Sequence, residues 1–393
     1  MPSQLAWLDS SRSEQQRMRE LISMFSDHES RDELGLGRIR DTFGDLLFPG
    51  SSTQHTRARY LLIVPWCIQH AARRRTRDEA RELDRIERRV IVVLRDAGET
   101  EGLIGRTDPA GVTTLPSAVY RSALRWHGID RGVGPEVADD PTEELSRRAV
   151  QRWPATLPQP PSGFPDGLTR LRLSPAEASW LRDQLLLSAP DSLLAHLLRA
   201  GNRPNRSSTT PWQDPATRNA PPQIAGDLAH ARHFSTCMYG AVLLYNLLLA
   251  EDCVRHGFNG VDPAAYQDRL VKWADTTTTL RGWDPSAMWY RLIDVNPRIA
   301  ADAGARRFVN AWAKAVLNGR AGGAAVDKDM RALVAGREFA MKGSQSRLGN
   351  SRRLETWTGA SGTGRMVFRW PQVRRMVIDI HDGLEARDAA ATG

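Results

Sequence analysis

Residues 227–254 read DLAHARHFSTCMYGAVLLYNLLLAEDCV, and apolar side chains fall on nearly every face of the helix this stretch would form. A helix that is apolar all round is covered by its neighbours. The stretch therefore predicts the central buried helix of a mainly α, multi-helical, loop-rich protein. Its most apolar part, 238–250, is interrupted by Tyr239, Gly240, Tyr245 and Asn246 and is too short to span a bilayer. The opening MPSQLAWLDSSRSEQQRMRELISMF has no basic start followed by an apolar core, so no secretion signal is read. A cytoplasmic protein without membrane association is expected.

Working outward, 174–199 begins SPAE, a capped start with proline at the first helical position, and predicts two helices. The flanks 153–164, WPATLPQPPSGF, and 201–223 read as long loops. Upstream, LPSAVYRSALRWHGI at 115–129 predicts a short amphipathic helix that Pro116 opens and Gly128 closes. Residues 56–94 suggest one or two helices whose part RRRTRDEARELDRIERR forms a solvated charged surface. A glycine-weakened helix is expected over 34–47 and a capped one from Ser11 or Ser13 to Phe25. Short strands are expected near 366–369, with another at 61–64. Three regions follow: an N-terminal helical domain (1–150), proline-rich linkers around a helical insertion (151–225), and a helical domain with a basic C-terminal region (226–393).

With 393 residues, 41% hydrophobic and 25% charged, the chain has an ordinary globular composition. The formal charge of +8 gains weight because it is concentrated. Between 339 and 375, Lys342, Arg347, Arg352, Arg353, Arg365, Arg369, Arg374 and Arg375 face the single acid Glu355, with Trp357, Phe368 and Trp370 interleaved. One acid among so many cations predicts little internal pairing, and guanidinium groups beside glycines and aromatic faces suit a nucleic acid. Arginine far outnumbers lysine throughout, a bias that a GC-rich genome also produces.

The second charged region is RDELGLGRIRDTFGDLLFPGSSTQHTRARYLLIVPW at 31–66. On a helix Asp41 and Asp45 lie four apart and share a face with Arg38. They are either a salt-bridged surface or functional carboxylates. Other motifs fail: no glycine-rich run ends in GK[ST], LGLGR lacks a strand context, and no GxSxG elbow is present. His230 and His233 lie three apart without a third metal ligand, so no metal or cofactor is expected. Cys67, Cys237 and Cys253 sit in apolar company and read as reduced, buried thiols.

The strings RDELG, IRD with LLFPG, TRARYLLIVPW, LPSAVY, PDSLLAHLLR, HARHFSTCMYGAVLLYNLLLAE, SGTGR and RWPQVRR resemble an uncharacterised bacterial family, known as a domain of unknown function, over nearly the whole chain. The chain is also similar to an anti-phage DNA glycosylase that removes glucosylated hydroxymethylcytosine, although GQDPY-type and LPGVG-type signatures are absent. That similarity implies DNA, including modified phage DNA, as partner. It also implies chemistry in which a carboxylate stabilises positive charge on the sugar while the base departs.

Asp41, Asp45 and Glu33 are the candidate catalytic carboxylates, with Glu101 behind them. Arg57, Arg59, Lys342, Arg347, Arg352, Arg353, Arg365 and Arg369 are candidate phosphate clamps, with Trp357 as a candidate stacking residue. Tyr60, Trp66 and Trp370 are read either as further stacking platforms or as core aromatics. Two alternatives are a non-enzymatic DNA-recognition subunit of a defence or mobile-element system, using the same cations and no catalytic carboxylate, and a metal-dependent nuclease in which Asp32, Glu33, Asp41 and Asp45 hold Mg²⁺ against a phosphate.

Overall fold

The computed structural model describes residues 32–74, 77–132, 152–258, 260–362 and 364–391. The helix expected over residues 11–25 lies outside them. The described residues form 13 α-helices joined by loops and 3-10 turns, with no strand among them. In chain order these are α1 (Gly37–Leu47), α2 (Tyr60–Arg73), α3 (Glu79–Asp96), α4 (Pro116–Trp126), α5 (Pro175–Ser188), α6 (Leu193–Leu198) and α7 (Pro222–Arg255). Then follow α8 (Pro263–Thr276), α9 (Pro285–Val295), α10 (Ala303–Leu317), α11 (Lys328–Lys342), α12 (Ser351–Leu354) and α13 (Trp370–Ala391).

Both expected strands are corrected. Residues 61–64 belong to α2, because the apolar run continues into WCIQHAAR and its first eight residues, 60–67, are buried in helical form despite Pro65. Residues 366–369 cannot be extended, because Phe368 and Arg369 both take left-handed backbone angles, φ 51° and 65°. Two consecutive non-glycine residues in that region store strain.

Backbone packing divides the chain into two units, Met1–Ile39 with His233–Met366 and Arg40–Arg232 with Val367–Gly393. The division falls inside α1 and inside α7. In the first unit aspartates open the helices: Asp262, Asp284, Asp302 and Asp327 each accept an amide from the first turn that follows. Its core lies along the later part of α7, where the indoles of Trp273 and Trp312 stack 6.0 Å apart. Their Nε1 atoms donate to the Thr236 and Cys237 carbonyls at 2.7 and 2.9 Å.

Gly240 makes that approach feasible. A Cβ there would stand 2.1 Å from Trp273 Cζ2. The indole is pinned by its hydrogen bond and its stack, so Gly240→Ala is expected to destabilise the protein by about 1–3 kcal/mol, larger than the gain of alanine in a helix. A urea midpoint unchanged or raised in the variant would contradict this packing.

In the second unit α2 is covered by α3 and α4, while α13 packs on α5 and α6. Ser174 and Glu177 form a reciprocal cap at the start of α5. Glu177 also receives Arg59 Nη2 at 2.7 Å, tying α5 to the start of α2. The α7 helix has the length and apolar composition to cross a membrane, and 78% of its apolar window is buried by the protein itself.

Candidate functional site: an acid and arginine pocket

Asp379 stands in the run RMVIDIHD of α13, where every residue from Met376 to Ile380 is buried. An acid in that position needs a cation or donors. Arg57 Nε supplies two contacts, at 3.1 Å to Oδ1 and 2.9 Å to Oδ2, and the Ala58 amide donates to Oδ2 at 3.0 Å. Arg57 is held from its other side, with Nη1 donating to the Glu101 carbonyl at 3.0 Å. Gly102, in a left-handed turn, leaves room for the Arg57 stem, since a Cβ would lie 2.7 Å from Arg57 Cγ.

Burial pushes the Asp379 carboxyl above its ordinary value, and the bonds from Arg57 and Ala58 oppose that shift without overturning it. Arg57 and Asp379 line a pocket of about 490 Å³ together with Arg172, Arg206, Asp382 and Glu385. Arg206 pairs with Asp382 at 2.6 Å, and Arg203 pairs with both Asp382 and Glu385. Oδ1 of Asp379 takes a single long bond and so keeps acceptor capacity toward a ligand.

Asp41 and Asp45 lie on α1 with side chains 51% and 52% exposed. The cation on Asp45 is Arg369, whose Nη1 reaches Oδ1 at 2.7 Å and the Ser51 carbonyl at 2.8 Å. Gly44 makes space for that guanidinium. The strained backbone at Phe368 and Arg369 aims it: Phe368 is buried against Phe43, centroids 5.1 Å apart, while Arg369 turns to α1. Arg38, expected beside these acids, instead lies 3.7 Å from Asp302 in the first unit. Asp41 pairs with its neighbour Arg40. Glu101 is exposed and pairs with Arg375 at 3.2 Å.

Glu33 belongs to the first unit, apart from Asp41 and Asp45 in the division of the chain. Its carboxylate is paired with Lys342 and with Arg347 Nη1 at 2.5 Å. Glu338, fully buried, accepts from Tyr245 Oη at 2.6 Å, Lys342 Nζ at 3.0 Å and the Arg347 amide at 2.9 Å. Arg337 Nε donates to the Leu34 carbonyl at 2.8 Å, and together these bonds dock 33–35 onto α11.

The expectation that the C-terminal cations have few internal partners is therefore corrected. Besides Glu338, one turn before Lys342, their carboxylates come from far away in the chain, which local charge counting does not detect: Glu33 for Lys342 and Arg347, Asp45 for Arg369. Arg59 is buried in an ion pair with Glu177, and Arg57 is half-buried in one with Asp379. Arg352, Arg353 and Arg365 remain exposed, Arg365 with its guanidinium 5.1 Å from the Tyr239 ring centre. Trp357 is buried, donating to Ser361 Oγ at 3.0 Å. Tyr60, Trp66 and Trp370 are core residues.

Among the described residues no group of three or more possible metal ligands occurs. Burial pushes the Cys67 thiol well above its ordinary value, which suits a core residue rather than a nucleophile. Asp379 and its pocket escaped the sequence reading. The available signal was an acid inside the apolar run 376–380, which is costly without a dedicated partner.

A family model described as a family of unknown function (DUF6361) matches residues 2–383. No curated protein and no solved structure matches the chain.

Proposed function

The chain belongs to this family of unknown function, and from its resemblance to an anti-phage glycosylase, together with the buried carboxylate described above, we propose that it is a cytoplasmic DNA-acting anti-phage defence protein, a glycosylase that excises a modified base. Glucosylated hydroxymethylcytosine is the proposed base and an abasic site the product. The observation that carries the reading is the buried Asp379 carboxylate, gripped by Arg57 at the wall of a concave 490 Å³ pocket. Breaking an N-glycosidic bond develops positive charge on the sugar, and a carboxylate fixed in a poorly solvated position stabilises it with little reorganisation. The arginines of the same wall offer donors to a polar flipped base. Asp379 is the first carboxylate to test, with Asp45 and Asp41 next.

The test incubates the protein with unmodified, hydroxymethylated and glucosylated DNA and titrates aldehyde-reactive sites with and without chelator. Abasic sites are expected on modified DNA alone, undiminished by chelator. Asp379→Asn is expected to lower their rate by about 100-fold or more while DNA binding persists. Strand breaks abolished by chelator would replace the reading with a metal-dependent nuclease.

A second reading, a DNA-recognition subunit without chemistry, is favoured by the partners of the three expected acids. Asp41 and Asp45 stand in exposed ion pairs of the kind that organise a surface, and buried Glu33 is taken up by Lys342 and Arg347. Salt-sensitive binding with no abasic sites on any substrate would establish it.

A further inference from the structure

Helix α4, PSAVYRSALRW, contains no acid, and its outer side carries Arg121, Ser122, Arg125 and Trp126, all exposed. Arg121 and Arg125 are one turn apart on the same side of the helix. Neither has a carboxylate partner among the described residues. The acid that follows the helix, Asp130, is already taken: Arg152 donates to its two oxygens at 3.0 and 2.9 Å and the Gly132 amide adds a third bond. A cation near a helix C-terminus is stabilised by the helix dipole, which accounts for Arg125 but not for Arg121 in the middle of the helix.

Trp126 is 57% exposed, the one tryptophan among the described residues left so open to water. It is nonetheless held in place. A Cβ on Gly50 would stand 2.9 Å from Trp126 Cδ1, so the edge of the indole rests on the Gly50 backbone while most of the ring remains in solvent. Beneath it His127 is buried and anchored to Ser188 Oγ at 2.7 Å. The platform is thus fixed by its neighbours and offers a bare π face. The residue after Gly50 is Ser51, whose carbonyl receives Arg369, the same guanidinium that holds Asp45.

We propose that the outer side of α4 is a single-strand DNA contact, in which Arg121 and Arg125 neutralise phosphates and Trp126 stacks on an unpaired base. Charge complementarity commits this face to a polyanion: two exposed guanidinium groups that make no ion pair among the described residues, the nearby Asp130 being held by Arg152, repel a cationic partner and attract phosphate. The exposed indole commits it to an unstacked base rather than a closed duplex, since base–aromatic stacking needs a free π face on both sides. The inference rests on the DNA-acting reading above and adds to it a place where a strand opened for base extrusion is held. Sequence reading singled out this helix by its shape and missed its exposed cations, because burial decides which arginines face water.

The experiment measures anisotropy of a labelled single-stranded oligonucleotide and of its duplex from 50 to 300 mM salt. Arg121→Ala/Arg125→Ala is expected to weaken binding and to reduce the slope of log affinity against log salt by about 1.4, two phosphates at roughly 0.7 each. Trp126→Ala is expected to weaken single-strand binding roughly tenfold with the salt slope unchanged, and Trp126→Phe to restore most of it. All these side chains are exposed, and thermal unfolding verifies that the variants fold. Wild-type protein that binds DNA while every variant matches it in affinity and slope overturns this face and leaves the DNA reading intact. Wild-type protein that binds no DNA at low salt overturns both. A dimer that dissociates on Trp126→Ala, with DNA binding unaltered, assigns the face to a second copy of the chain and also overturns the proposal.

Discussion

Lowering the pH from 7 to 5 is expected to remove roughly 4 kcal/mol from the unfolding free energy, about 2 kcal/mol for each of two buried histidines. His55 and His127 are both buried, and burial lowers each to about 4. His55 stacks on Tyr120 at 4.3 Å, and neither of its ring nitrogens has a well-formed hydrogen bond. The Val119 backbone favours its charged form, while Arg369 and the burial oppose it. His127 is disfavoured as a cation first by burial and then by His55. The sign follows from proton uptake. Between pH 6.5 and about 4 the unfolded chain binds protons at these positions that the folded chain refuses, so stability is full at neutral pH and is lost as pH falls through that window. Urea midpoints at pH 7 and pH 5 provide the measurement. A His55→Phe/His127→Gln double variant is expected to show a much smaller difference between the two. Equal wild-type midpoints at both pH values would contradict the neutral burial of the pair.

The second large effect belongs to Arg57. Arg57→Met leaves Asp379 buried with only the Ala58 amide as donor, and breaking a buried pair by removing one partner costs about 3–5 kcal/mol. Adding Asp379→Asn to that background is expected to recover a large part of the loss, because the uncompensated charge disappears. The pH dependence runs opposite to that of the histidines. A carboxyl raised above its ordinary value keeps its proton in the folded state where the unfolded chain has released it, so its contribution is largest at acid pH and is lost as pH rises. Arg57→Met is therefore expected to be relatively more stable near pH 5 than near pH 7, once the histidine effect common to both proteins is subtracted. A double-mutant cycle with no coupling would show that the two side chains act independently and would remove the pair as an organising feature of the pocket.

The helical character of the protein was readable because its signals are local. SPAE at 174–177 marks a cap and a proline-first start, and both appear at α5. Pro116 opens α4 and Gly128 follows its end in a left-handed turn, as the spacing indicates. The all-round apolar stretch forms the long buried α7. What remained unreadable depends on contacts distant in sequence. Arg57 and Asp379 stand 322 positions apart, and Lys342 and Glu33 stand 309 apart. A count of charges in a window assigns such cations to solvent or to an anionic partner. The same limitation affected aromatic residues: nothing in the neighbourhoods of Trp126 and Trp370 indicates that the first stands in water and the second in the core. At 366–369 the β-forming composition of the residues was overridden by a backbone turn that places Phe368 in the core and Arg369 on Asp45.

The interleaving of the two units also decides how this chain can be dissected. Each unit is assembled from two lengths of polypeptide, with boundaries after Ile39, Arg232 and Met366. Shortening the chain from either end therefore never isolates one unit. Removal of the first 39 residues leaves the second unit whole but takes Glu33, and with it a carboxylate shared by Lys342 and Arg347, from the first. Isolation of the second unit requires excising 233–366 and rejoining Arg232 to Val367, whereas the first demands a new link from Ile39 to His233. Random transposon or nonsense libraries should accordingly return few functional fragments, and complementation by two co-expressed pieces is the more informative genetic approach.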